Sequence, residues 1–311
     1  MKKDLKQLFD EFIFECEFAR ILRPETLRGY RQTFEIFQKI MPEVSVEILN
    51  SGTLTLFFKK LNERKRIVGK GQVKTGIKKS TIATYRSKLN SFFEWLKVKK
   101  HIEQNPFNEM VYPSHVYEDR KFLSKSDVEK ILTAILKNQS RSLLVLKRNL
   151  VIFHLLLFCG LRREELLLLQ LRDIDLERRI LTIRAETSKV PRTRYIPLHS
   201  QLVMYLKDYL QIRIKCTTQY LLVSKVRDER LSYHGLNHFV STIKNISGVK
   251  FYLHQFRHTF AVNFLKANKD IVKLKQLMGH RDIRTTLIYL RCLPINEMRG
   301  DIENMSIDNF A

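Results

Sequence analysis

Apolar residues return every three or four positions along most of this chain. Leu5, Leu8, Phe9, Phe12 and Ile13 form one such stripe near the start, the spacing of an amphipathic helix. A second helix is predicted after Pro24, a residue suited to a helix's first turn. Its inward positions are Leu27, Tyr30, Phe34 and Phe37. A third helix covers about Thr53 to Lys65. A fourth, about Ser80 to Lys99, turns Ile82, Tyr85, Leu89, Phe92, Phe93 and Leu96 inward. Between the last two lies IVGKGQVKTGIKKS, rich in glycine and lysine. That composition predicts a flexible loop able to settle on phosphate, or else a plain solvated loop.

The periodicity stops at NPFNEMVYPSHVYEDR, from Asn105, which has two prolines and reads as an interdomain linker. It resumes in LSKSDVEKIL, where Ser124 and Asp127 have the spacing of a capping box. A long apolar helix then runs to Cys159, with Gly160 as its stop. The segment DIDLERRILTIRAETSKVPRTRYIPL alternates and holds β-branched residues, so a small antiparallel sheet is predicted, its hairpin tip near Glu186 to Pro191. Helices resume from Ser200 and from Ser232 to Asn245. The expected fold is mainly α, with 1–112 as an N-terminal domain of four to five helices and 113–120 as linker. Residues 121–311 form an α-rich C-terminal domain carrying the small sheet.

Composition narrows the partners. Lys and Arg number 56 against 32 Asp and Glu, a formal charge of +24. The excess is spread through well-formed apolar helices rather than gathered in a tail, which favours nucleic acid over a ribosomal or membrane surface. On the fourth helix Lys79, Thr81, Thr84, Arg86 and Lys88 lie off the apolar stripe. With Lys70, Lys74 and Lys78 from the preceding loop they are the candidate DNA-binding residues; a merely solvated face is the alternative. The 4 cysteines are far apart and form no CxxC pair, so a zinc ribbon, a disulfide framework and an oxidising compartment are not indicated. The charged N-terminus is no signal peptide, and the longest apolar run, Leu150 to Leu161, is too short to span a bilayer. A cytoplasmic location is expected.

The chemistry concentrates in HQFRHTFAVNFLKANKDIVKLKQLMGHRDIRTTLIY, His254 to Tyr289. A tyrosine hydroxyl, with a pKa near 10 in water, attacks phosphorus only when its proton is taken and the phosphate charge is neutralised. Guanidinium groups bind phosphate oxygens bidentately, a lysine can protonate a departing sugar oxygen, and histidines move protons near neutral pH. Arg162, Lys189, His254, Arg257, His280 and Tyr289 supply one candidate for each role, and Glu165, three residues after Arg162, is placed to orient a neighbour. Tyr289 lies nine positions after His280. On one straight helix nine steps of about 100° would put them on opposite faces. They converge only if the chain turns, for which Gly279 and a cap at Asp282 or Thr285 provide the means. His254 and His258 have a zinc-compatible spacing, but HQFRH lacks the glutamate of a zinc protease and carries Arg257. No metal and no cofactor are expected.

GLRREEL, TSKVPRTRYIPL, HQFRHTFA and LMGHRDIRTTLIY together resemble the tyrosine recombinase, or phage integrase, family, over about Leu123 to Tyr289. The resemblance is to its simple two-domain, Xer-like or mobile-element members. It implies a core-binding domain that clamps DNA, followed by a catalytic domain, with no separate arm-binding domain ahead of them. It implies site-specific cleavage and rejoining of DNA through a 3′-phosphotyrosyl intermediate and a Holliday junction. The biological use would be chromosome-dimer resolution or integration and excision of a mobile element. Carried over, Arg162 and Arg257 clamp the scissile phosphate, Lys189 is the general acid, His254 assists proton transfer from Tyr289, and His280 hydrogen-bonds the phosphate. Glu165 orients. The implied partners are double-stranded DNA with an inverted-repeat core site, further copies of the chain up to a tetramer or a paired recombinase, and an accessory directionality or regulatory protein. Ile295, Met298, Ile302 and Met305 make an apolar stripe on a short helix; the resemblance implies an exchange helix at about 293–311 that docks into a neighbouring subunit, with folding onto its own domain as the alternative. Two other functions remain open from sequence: a non-cleaving DNA-binding relative and a type IB topoisomerase-like enzyme.

Overall fold

A computed structural model of the chain describes residues 3–69, 71–110, 122–138, 142–188, 192–224 and 227–292. The chain divides into two compact units, Met1–Val116 and Tyr117–Ala311. The fold is mainly helical, with small antiparallel sheets.

In the first unit, helix α1 (Leu5–Phe18) starts at a capping box of Asp4 and Gln7. Helix α2 (Pro24–Ile40) has its proline in the first turn, where the missing N–H costs nothing. Helix α3 (Ser51–Glu63) is capped by the Asn50 side chain, and α4 spans Lys79–Val98. Their inward faces meet in an aromatic core: Phe9 stacks on Phe34 at 3.8 Å between ring centroids, and Phe92 stands edge-on to both. Trp95, absent from the predicted stripe, is buried because its indole N–H finds an acceptor, donating to Glu15 Oε2 at 2.9 Å.

Two expectations for this unit are corrected. The glycine- and lysine-rich stretch is not a loop but a hairpin, strands β1 (Lys65–Val68) and β2 (Gln72–Thr75), paired antiparallel. Gly69 and Gly71 take positive φ in the turn, and the Ile67 and Val73 alternation around them is a strand pattern. The linker also starts later than Asn105. The Asn105 side chain is buried and donates to Asn90 and Glu94, and Phe107 enters the aromatic core. The segment 113–120 lies outside the described residues.

In the second unit, α5 (Lys125–Lys137) starts at the Ser124–Asp127 capping box. Helix α6 (Leu143–Cys159) is the central element, buried continuously from Arg148 to Leu156 and packed against two later helices, α8 (Ser200–Arg213) and α10 (Leu253–Asn268). Gly160 ends α6 at φ 57. A short helix α7 (Arg163–Leu167) follows. Strands β3 (Ile174–Asp175), β4 (Ile180–Ile183) and β5 (Arg194–Pro197) form an antiparallel sheet in that order. Helix α9 (Tyr233–Ser247) covers α5. After α10 come α11 (Ile271–Met278), stopped by Gly279 at φ 62, and the one-turn α12 (Arg284–Leu287). The proposed exchange helix at 293–311 and the tip of the β4–β5 connection at 189–191 lie outside the described residues.

Candidate active site

The C-terminal end of α11 organises the site. The last carbonyls of a helix have no partners within it and carry partial negative charge. Here three guanidinium groups take that role. Arg194 Nε donates to the Leu277 carbonyl at 2.8 Å. Arg257 donates to the Met278 carbonyl at 2.6 Å and to the Gly160 carbonyl at 2.7 Å. Arg162 reaches the Met278 and Gly279 carbonyls at 3.4 and 3.3 Å. Thus the two arginines singled out in the sequence, 95 residues apart in the chain, are brought to one carbonyl.

Glu165 is the carboxylate at the centre. It is 1% exposed and accepts a bidentate pair of bonds from Arg194, at 3.0 and 2.7 Å, with a further bond from Arg162 at 2.9 Å. Burial pushes its pKa up, but the Arg194 hydrogen bonds and charge outweigh this and hold it near 2, with Arg162 helping. One carboxylate facing three guanidiniums leaves an excess of positive charge. Arg257, 1% exposed, shows the consequence. Burial lowers its pKa, and the neighbouring Arg162 lowers it further. An anion placed among these groups would relieve both effects.

His280 follows Gly279 and joins this cluster through a 3.0 Å contact between its Nε2 and Arg257. Its Nδ1 lies 2.9 Å from Thr286 Oγ1. The chain turns between His280 and Tyr289, but neither Asp282 nor Thr285 is the cap: α12 opens at Arg284 with Ile283 in the N-cap position and no side-chain cap, and the Asp282 carboxylate accepts the Arg284 N–H at 2.9 Å from the turn before it. The turn brings the two rings nearly parallel, 6.5 Å apart. Tyr289 is 1% exposed, seated in an apolar cluster with Phe260, Leu265, Leu274 and Met278.

The Tyr289 hydroxyl meets His258, whose Nδ1 is 3.0 Å away. His254, expected to assist proton transfer from Tyr289, is exposed, one turn earlier on α10, its ring edge-on to His258 at 4.4 Å. In the sequence His258 stands out only by its zinc-compatible spacing from His254, and no spacing marks Arg194. The signal for Arg194 was its position: in β5 the alternation puts it on the same buried face as Ile196. Lys189 lies outside the described residues. Among the described residues no group of three His, Cys, Asp or Glu side chains is arranged to hold a metal ion.

The candidate DNA-binding residues belong to the first unit. Lys74, Lys78, Lys79 and Thr84 are exposed; Thr81, Arg86 and Lys88 are half-buried. The Lys88 amine packs over Gly29 of α2, where a Cβ would displace it. Lys70 lies outside the described residues.

The phage integrase family matches residues 121–294, and the phage integrase N-terminal SAM-like domain matches residues 9–100. The chain belongs to the phage integrase family. As a phage integrase relative it is a tyrosine-type site-specific recombinase or integrase. It is 26% identical over 290 residues to a tyrosine recombinase of Pseudothermotoga lettingae, covering 92% of this chain and 94% of that one. It is 25% identical over 299 residues to tyrosine recombinase XerD of Proteus mirabilis, covering 93% and 89%. Its fold is similar to that of the Tn1549 transposon integrase solved with a circular intermediate DNA, with a TM-score of 0.78 at 17% identity over 98% of this chain and 100% of that one. The XerH recombinase bound to its difH substrate is similar at a TM-score of 0.69 and 21% identity, over 92% and 82%.

Proposed function

We propose that this phage integrase cleaves and rejoins duplex DNA at a specific site, with Tyr289 as the nucleophile. The observation that carries this reading is the convergence of Arg162, Arg257 and His280 on the end of α11, with the Tyr289 ring beside His280. A scissile phosphate held between the arginines would have its developing charge met by fixed cations that need no reorganisation. The Tyr289 oxygen bonds to phosphorus and its proton passes to a histidine. The bond to the 5′ oxygen breaks, and Lys189 supplies the proton that makes this a free hydroxyl. Glu165 and Arg194 position Arg162.

The product is a 3′-phosphotyrosyl bond. It keeps the energy of the phosphodiester, so a second 5′-hydroxyl can reverse the step and exchange strands through a Holliday junction. Because Tyr289 is enclosed, reaching DNA includes a shift of the segment 284–292, which holds only one turn of α-helix. The partners in this reading are DNA with an inverted-repeat core site and further copies of the chain, assembled as a tetramer. Lys74, Lys78, Lys79, Thr81, Thr84 and Arg86 would lie along the duplex from the first unit.

A duplex nicked beside the cleavage position tests this, because loss of the short fragment traps the covalent adduct. The wild-type chain should accumulate protein–DNA adduct on denaturing gels, and Tyr289→Phe should bind the same duplex without forming any. An adduct that persists in Tyr289→Phe assigns the nucleophile elsewhere.

A further inference from the structure

The hairpin β1–β2 stands apart from everything the first unit buries. Both its cross-strand apolar residues face water: Ile67 is 77% and Val73 63% exposed. They are direct partners in the register, so their side chains share one face of the ribbon. The next pair, Arg66 and Lys74, lies on the opposite face. The root is fixed. Gly76 at φ 71 packs against the Asn62 carbonyl, its N–H donates to the Arg64 carbonyl at 3.0 Å, and Arg66 Nε donates to the Gly76 carbonyl at 3.0 Å.

A two-stranded ribbon is marginal in water on its own. A cross-strand apolar pair left in solvent gains little beyond its own contact. The arrangement gains more if another surface dries that pair. The charge says which surface. Residues 64–93 hold nine lysines and arginines and no carboxylate. Lysines on open strand edges also oppose pairing with another protein strand, so strand addition is disfavoured where a polyanion is favoured. Each strand is about 13 Å long, and the major groove of B-DNA, about 12 Å wide, admits a two-stranded ribbon. An aliphatic side chain there meets the thymine C5-methyl, the one apolar group on a base edge.

We propose that β1–β2 is a DNA-reading ribbon, in which Ile67 and Val73 contact thymine methyl groups in the major groove while Lys74 rests on the backbone phosphate. This rests on the reading of the chain as a DNA recombinase and adds a base-reading element separate from the catalytic site.

The test uses the full chain and a duplex selected by the wild type from a randomised pool. Thymines are then replaced one at a time by deoxyuridine, which removes only the methyl group, and binding is followed by fluorescence anisotropy. Wild type should lose about fivefold or more in affinity at one or two positions. Ile67→Ser/Val73→Ser should be insensitive at those positions and should select a different base there. Both residues are exposed, so its thermal melting should match wild type. Lys74→Ala should weaken binding evenly across sequences and reduce the slope of log affinity against log salt by about one.

A double variant that selects the same site and keeps the same deoxyuridine profile overturns the inference. So does one whose DNA binding is intact while its self-association is lost, which would give the ribbon a protein partner. If in either case the chain still forms the Tyr289 adduct, the recombinase reading survives and only the ribbon's role falls. A wild-type chain that binds no duplex removes both.

Discussion

Glu165 carries the heaviest structural duty of any single residue in the site. Its folded pKa, near 2, lies below the ordinary carboxylate value. A lowered pKa means stability that is complete above the unfolded value of about 4.3 and drains away as pH falls toward 2. Glu165→Gln removes the charge at every pH and leaves buried guanidiniums unpaired, at a cost of about 3–5 kcal/mol. Urea denaturation at pH 7 should show that loss. The gap between variant and wild type should narrow steadily in titrations from pH 5 to pH 2. Because the His258 Nδ1 lies 3.0 Å from the Tyr289 hydroxyl while His254 is exposed one turn earlier on α10, His258→Ala should slow adduct formation on a nicked duplex by about a hundredfold. His254→Ala should slow it less. The reverse ranking would show that DNA binding moves the tyrosine from one histidine to the other. That Arg162, Arg257, His280 and Tyr289 come together in the fold was legible in the sequence because each sits in a short motif with fixed spacing. Arg194 and His258 were not, because their meaning comes from partners far away in sequence: Glu165, 29 residues before Arg194, and Tyr289, 31 residues after His258.

Between elements, the site depends on two glycine stops that let helices end abruptly beside one another. Gly160 terminates α6 at positive φ, and its carbonyl accepts from Arg257. A Cβ at this position would run into the Phe260 ring of α10. Gly160→Ala therefore combines backbone strain with a clash against a buried ring and should cost about 1–3 kcal/mol. Thermal melting would read this directly, and cleavage should fall further than stability alone explains, since Arg257 loses its register with α11. The helices themselves were readable because their apolar stripes and caps agree: Pro24, Ser124 and Gly160 mark ends where the structure has them. The hairpin β1–β2 was not readable. Its strands are four residues long, exposed on β2 throughout, and rich in lysine, so neither burial nor strand preference separates it from a loop. The burial of Asn105 and Phe107 was hidden similarly, because two prolines and a lack of period look like linker whether or not the residues pack.

Across the whole molecule the relevant quantity is the formal +24. It is carried by 56 basic residues spread over both units, while the candidate site uses only a few of them. The remainder cannot serve the chemistry at one phosphate, and mutual repulsion among them works against the compact state. A duplex, with one negative charge per about 1.7 Å of its axis, offsets that repulsion with its phosphates, and the condensed counterions displaced from them favour binding. Binding should therefore be steeply salt-dependent and largely independent of the catalytic residues. If the protein neutralises about 6–10 phosphates, affinity should drop by about 10³–10⁵ between 50 and 200 mM salt. Tyr289→Phe should follow the same slope as wild type, because its hydroxyl contributes no charge to the encounter. Arg162→Ala should be shallower by about one unit, because one phosphate contact is gone. Anisotropy titrations at four or five salt concentrations would give these slopes. A wild-type slope close to zero would mean that the basic residues are not arranged along a duplex, and their number would then need another explanation.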